Sequence, residues 1–182
     1  VVALAFTWEL LLDPNSGTLN NLLLNYNIID KPINLLGQKY VSIFVFGFEF
    51  KLRLALTTVI IFEIWRYFPL AFLFILARLQ AVPKELYEAA DIDGAGPYTK
   101  FMNITLPQIT AVISILFMIR FIWNFNKFED IFLLTGGASG TRTLPINVYE
   151  QGFSIGDIGM GSAVSMVIVP VSYTHLRAHE TR

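Results

Sequence analysis

Three ionisable side chains, Glu63, Arg66 and Arg120, fall inside long apolar runs, and three carboxylates, Glu88, Asp91 and Asp93, stand between those runs in the stretch "EAADIDGAG". An ionisable group in a run long enough to cross a bilayer costs about 2.5 to 3.5 kcal/mol on insertion scales unless it is paired or faces water. Two roles satisfy that rule. Glu63 and Arg66, at i and i+3, share one helix face and could pair as an internal strut, or the charges could line a path for a polar solute. Trp65 and Trp123 could be lipid-facing or core aromatics, but Trp123 lies beside Asn124 on the segment with Arg120, which favours the path for Trp123 alone. The carboxylates suggest a different chemistry: a short helix with alanines on one side and carboxylates on the other makes a knob that seats in a protein groove.

These residues need elements to hold them. Leu54 to Ala77 is an apolar run of about 24 residues, or about 36 Å of helix against about 30 Å of hydrocarbon, so it predicts a span carrying Glu63 and Arg66, with Pro69 placed to bend it. Pro107 to Phe125 predicts a second span, carrying Arg120 and opening on a proline where a missing amide proton costs little. Between them Pro83 opens a short helix through the good formers Lys84, Glu85, Leu86, Glu88, Ala89 and Ala90. Gly94 and Gly96 end it, and Pro97 opens another that runs toward Pro107. The expected pattern is helix, glycine corner, helix, in water between two spans.

Val1 to Leu12 gives only about 18 Å of helix, and Ile158 to Val171 is similarly short, so both read as partial spans of a chain incomplete at both ends. Pro14, Asn15, Ser16 and Gly17 mark a turn at the membrane surface. The run "VSIFVFGF", between Asp30 and Arg53, is too short to span and is expected at the interface or packed on a neighbour. Residues 126–157 read as a long connection around the glycine-rich "TGGASGT", and Gly159, Gly161, Ala163 and Ser165 permit close helix approach in the last span. The closing "SYTHLRAHETR" is polar and without helical periodicity; it resembles translated adapter sequence, so residues 172–182 are set aside as a non-native tail, leaving residues 1–171 as the domain.

The composition narrows the function classes. The chain is 54% hydrophobic with 16 Phe, which points to a membrane, and its net charge of -1 leaves no basic face for nucleic acid. There is no cysteine for a disulfide or a thiolate metal site. His175 and His179 have i, i+4 spacing without the rest of a metalloprotease motif, and both lie in the tail, so no metal site is assigned. "TGGASGT" lacks the lysine of a phosphate-binding loop, and no nucleophile and base pair stands out, so neither a cofactor nor catalysis is expected. Loop charges do not orient the chain: Arg78, Lys84 and Lys100 between the spans face Lys31, Lys39, Lys51 and Arg53 before them and Lys127 and Arg142 after them. A membrane enzyme or a scaffold that works without ATP stays open at this point.

Glu88-Ala89-Ala90, Gly94, Ile104 and Leu106-Pro107 together resemble the EAA loop of permease subunits of bacterial binding-protein-dependent ABC importers. The match fixes seven identities between Glu88 and Pro107, far more than a lone glycine motif does. "WELLLDPNSGTLNNLL", "IWRYFPLAFLFILARLQAVPKELYEAA" and "FIWNFNKFEDIFLLTGG" are similar to segments of the maltose-type sugar permeases, so the likeness runs from Trp8 to about Pro170. It departs at "GGAS", where that family usually has a proline after the glycines, and at "FVFGFEFKLR".

The resemblance implies an all-α, polytopic transmembrane bundle of the type I ABC importer permease core, multi-pass in the bacterial inner membrane. Residues 83–106 would be its cytoplasmic coupling loop, with Glu88, Ala89, Ala90, Asp93 and Gly94 at the ATPase. Partners implied are a separate ATP-binding cassette ATPase, a second permease subunit in a heterodimer, and an extracytoplasmic solute-binding protein. Carried over position by position, the family's sugar-contacting residues fall on Glu63, Arg66, Tyr67, Leu70, Arg120, Trp123, Asn124 and Lys127; Asn124 and the aromatic Trp123 match the family pattern. The solute implied is a sugar. A charged solute such as a glycerol phosphate is the alternative, since Arg66, Arg120 and Lys127 could meet a phosphate.

Overall fold

The structure, a computed structural model, describes residues 2–45 and 48–180, and the side chains of 43–45, 48, 50 and 171–180 are outside that description. Val1, the centre of "FVFGFEFKLR", the side chains of His175 and His179 and the last two residues of the tail therefore lie outside the described residues.

Helices dominate, joined by a single hairpin among the described residues. In chain order they are α1 (Val2–Leu12), α2 (Thr18–Asn25), α3 (Leu54–Gln80), α4 (Lys84–Ile92), α5 (Pro97–Lys100), α6 (Leu106–Phe125), α7 (Glu129–Thr135), α8 (Leu144–Tyr149) and α9 (Ile158–Glu180). The run expected at the interface or packed on a neighbour forms β1 (Val41–Val45), antiparallel to β2 (Phe48–Leu52), with Val41 opposite Leu52. Alternation of β-branched and aromatic residues over two short stretches favours strand over helix there. The connection expected over 126–157 also carries structure, because α7 and α8 lie within it. At the end of the chain α9 continues as one helix through Pro170 to Glu180, where the sequence predicted a break.

Among the described residues two helices are long and apolar enough to cross a membrane: Leu54–Gln80, of 27 residues, and Pro97–Phe125, of 29. The first runs on through Pro69. The second starts ten residues before the expected Pro107, because α5, a wide turn at Phe101–Thr105 and α6 form one continuous helix. Pro107 explains the wide turn: it has no amide proton for the carbonyl four residues back, and its ring crowds that carbonyl. The amide of Leu106 accordingly donates to Phe101 O, five residues back. Apolar side chains such as Ile61, Phe68, Phe72 and Phe117 stand exposed along these helices, an arrangement that hydrocarbon tolerates and water does not.

The chain divides into two compact units, Val1–Glu63 with Asn124–Arg182, and Ile64–Trp123. The first has a conventional apolar core of Ala5, Val59, Phe62, Ile131, Leu134 and Ile146. Phe62 is wholly buried and meets Trp8 edge-on, with centroids 5.4 Å apart. Burying such a ring contributes about 1.5 to 3 kcal/mol. The turn after α1 is tied by Asp13, whose carboxylate accepts the amides of Asn15 and Ser16 at 2.9 and 2.7 Å. Asn20, buried at 1% exposure, then accepts the Ile33 amide and donates to the Ile33 carbonyl, both at 3.0 Å, so that one amide holds two segments together.

Candidate functional site

The carboxylate knob takes the predicted form. Pro83 caps α4, whose interior is made of strong helix formers, and the helix ends where Gly94 turns left-handed at φ +73°. The Ala95 amide donates to Ala90 O at 2.8 Å and the Gly94 amide to Asp91 O at 3.0 Å, which together satisfy the open carbonyls of the last turn. Gly94 has open space around a would-be Cβ, so its backbone angle and not crowding calls for glycine. Gly96 then caps α5 in an extended conformation, with Pro97 at the first helical position.

Which face of α4 is available follows from helical spacing. Tyr87 and Ala90, at i and i+3, are half-buried, and the Tyr87 hydroxyl lies 2.9 Å from Thr105 Oγ1. On the opposite side Glu85, Glu88, Ala89 and Ile92 are all exposed, Ile92 by 88%. Ile92 thus stands out among the exposed carboxylates of this short helix. Among the expected coupling residues Glu88 and Ala89 sit on this face, Ala90 points inward, Asp93 is the exposed C-cap and Gly94 makes the corner. Asp91 pairs with Lys100, closing the corner between α4 and α5.

The expected solute contacts divide between the two units. In Ile64–Trp123, Tyr67 gathers its neighbours: Arg120 Cζ lies 3.4 Å and Arg66 Cζ 4.9 Å from its ring centroid, and Trp123 is 6.5 Å away, ring to ring. Guanidinium groups sit against aromatic rings because the ring face is electron-rich. A cavity of about 280 Å³ in the same unit is lined by Tyr67, Leu70 and Arg120 together with apolar side chains such as Ile64 and Leu116. Five of the eight expected residues thus share one neighbourhood.

Glu63, Asn124 and Lys127 belong to the other unit. There Lys127 Nζ is 3.1 Å from Glu63 Oε2 and also pairs with Asp130, whose side chain is 2% exposed. Lys127 is thus a cationic partner of Glu63 that its sequence spacing did not suggest. Asn124 is exposed at the end of α6, and its carbonyl accepts the Lys127 amide at 3.3 Å. Asp130 was not anticipated from the sequence. Its one signal is the i, i+3 spacing to Lys127, at the start of a helix in a stretch read as a connection. Among the described residues no group of three or more His, Cys, Asp and Glu could hold a metal ion.

Comparisons with known proteins address the family and the fold. Residues 15–175 match the family described as "Binding-protein-dependent transport system inner membrane component". The chain is 34% identical over 173 residues to the trehalose/maltose transport system permease protein MalF of Thermococcus litoralis, covering 93% of this chain and 54% of that one. It is 37% identical over 118 residues to the sn-glycerol-3-phosphate transport system permease protein UgpA of Yersinia pseudotuberculosis, covering 63% of this chain and 40% of that one. The chain thus spans about half the length, or less, of these curated relatives. The fold is similar to that of a chain from the crystal structure of a bacterial ABC transporter involved in the import of the acidic polysaccharide alginate, with a TM-score of 0.78 over 95% of this chain and 56% of that one, at 23% identity. The family model covers nearly the whole chain, and on that ground this chain belongs to the inner membrane components of binding-protein-dependent transport systems.

Proposed function

We propose that the chain is the membrane-spanning permease part of an ATP-driven sugar importer, with Glu88 to Gly96 as the knob that docks on a separate ATPase. The observation that carries this reading is the exposed face of Glu85, Glu88, Ala89 and Ile92 on a helix closed by a left-handed glycine. In this reading a solute-binding protein delivers sugar from outside and a second permease subunit completes the pathway. Closure of the ATPases is conveyed through the knob, so the two access states differ in what α4 contacts, as coupling requires. Catalysis is left to the ATPase.

The sugar reading draws on membership of the family, on the similarity to MalF and on Tyr67, Leu70 and Trp123, whose faces suit a pyranose. A second reading, a charged solute such as a glycerol phosphate, is favoured by two guanidinium groups against one tyrosine ring and by the similarity to UgpA.

The test uses the full-length subunit co-expressed with its ATPase and its permease partner. Wild type should retain the ATPase through purification in detergent, and a Glu88→Arg, Gly94→Pro double variant, still inserted and assembled with its permease partner, should lose it. Equal retention would reduce the stretch to an ordinary loop. Competition for uptake between neutral and phosphorylated sugars separates the two solutes.

A further inference from the structure

The exposed face of α4 can only convey motion if its other face is fixed to something. Three contacts within Ile64–Trp123 tie together the elements around it, and one of them, at Tyr87, is on that other face. Arg78, in the last turn of α3, donates from Nε to Gln108 O at 3.0 Å and from its terminal nitrogen to Gln108 Oε1, so the end of α3 is clamped to the first turns of α6. Lys100 pairs with Asp91 across the glycine corner, which makes α4 and α5 one piece. Tyr87, on the inward face of α4, meets Thr105 through their hydroxyls at 2.9 Å, in the last position of the wide turn that precedes Pro107.

The third contact differs from the other two in where it lands. A wide turn holds amides bonded five residues back and is a common place for a helix to change register or bend. Tyr87 therefore joins the docking helix to the one irregular step of the continuous helix Pro97–Phe125. Its ring is half-buried and lies away from Glu85, Glu88, Ala89 and Ile92, so it is outside the surface a partner would touch.

We infer that Tyr87 is a positioning residue for coupling: its hydroxyl bond to Thr105 passes movement of α4 into the Phe101–Thr105 turn and so into α6, while binding of the partner is left to the opposite face. This rests on the coupling reading above. It predicts a separation of docking from work that a purely structural contact would not give. Removing the bond should leave the ATPase bound and hydrolysing while solute moved per ATP falls.

The experiment reconstitutes the full-length subunit with its ATPase, second permease subunit and solute-binding protein in proteoliposomes, and measures ATPase retained, ATP hydrolysed and solute taken up. Tyr87→Phe and Thr105→Val should each lower uptake per ATP about fivefold, the scale of one net hydrogen bond, with ATPase retention unchanged. The double variant should be no worse than either single one, and Thr105→Ser, which keeps the hydroxyl, should restore the ratio. Uptake per ATP equal to wild type in the single variants, losses that add, or loss of the ATPase itself would each overturn the inference. Glu88→Arg run in parallel reports on docking: if it retains the ATPase the coupling reading fails, and if it alone loses the ATPase while Tyr87→Phe transports normally only the role of Tyr87 fails.

Discussion

Lys127 lies 3.1 Å from Glu63 and pairs as well with the buried Asp130, so one ammonium is shared by two carboxylates. A lysine held in this way is poorly placed to meet a solute phosphate, which shifts its role from solute contact toward support of the elements around it. Breaking a buried pair costs more than the pair contributes, because the charge left behind has no water to replace its partner. Lys127→Met should therefore lower the stability of the purified subunit by about 3 to 5 kcal/mol. Lys127→Met with Asp130→Asn should recover part of that loss. Thermal unfolding in detergent, followed by loss of the monodisperse peak, gives the ranking, and a Lys127→Met protein as stable as wild type would contradict it.

Gly94 and Gly17 are both glycines that structure requires, for different reasons. Gly94 sits at φ +73° with nothing near its missing Cβ, whereas Gly17 has an ordinary φ of -66° but would place a Cβ 2.6 Å from Leu11 O, against the turn that Asp13 ties. Left-handed backbone costs an ordinary residue about 1 to 2 kcal/mol and is tolerated best by asparagine. Gly94→Asn should keep the corner and ATPase retention better than Gly94→Val. Crowding offers no such escape, so Gly17→Ala and Gly17→Asn should both lower the melting temperature, where Gly94→Asn leaves it close to wild type.

Asp13 supplies a pH dependence. Hydrogen bonds from the Ser16 amide and hydroxyl and from the Asn15 amide favour its ionised form and hold its carboxyl below the ordinary value of 3.8. A group whose folded pKa is depressed contributes stability that is present above the unfolded value and is lost as pH falls through the folded one. Asp13→Ala should accordingly be less stable than wild type near neutral pH, and the gap should narrow only below the ordinary carboxylate range. Melting temperatures of the two proteins compared from neutral to acidic pH test this; a gap that does not vary with pH would assign the turn to packing alone.

How much of this was readable beforehand depended on whether the cause was local. Pro83, Gly94 and Pro97 act on their own backbones, so the helix, corner and helix around Glu88 could be read from residue type and spacing. The long apolar runs announced α3 and α6 for the same reason. Asp130 could not be read in that way, since its burial depends on α7 folding against the core with Ile131 and Leu134. The same holds for Tyr87 and Thr105, which meet across 18 residues through the path of the chain. The hairpin Val41–Leu52 was hidden because a short apolar run fits a strand, an interfacial segment or a buried helix equally well. Pro107 was recognised as a helix opener, although the helix had begun at Pro97 and Pro107 widens it.

Tyr67 offers the sharpest division between the two solute readings. Arg120 and Arg66 both stand against its ring, and cation and ring attract by about 0.5 to 2 kcal/mol, more as water is excluded. The attraction comes from the ring face, so Tyr67→Phe should preserve it and Tyr67→Leu should not. If the solute is a neutral sugar that stacks on this ring, Tyr67→Leu should raise the concentration needed for half-maximal uptake about tenfold, and Arg120→Gln should matter less. If the solute is anionic, the order reverses: Arg120→Gln should be the damaging change and Tyr67→Phe nearly silent, because the guanidinium would be the group that meets the phosphate. Uptake by the full transporter with Tyr67→Phe, Tyr67→Leu and Arg120→Gln, each measured with one neutral and one phosphorylated sugar, separates the two. If none of the three variants changes uptake of either solute, the cluster is a strut between α3 and α6, and the solute path runs elsewhere.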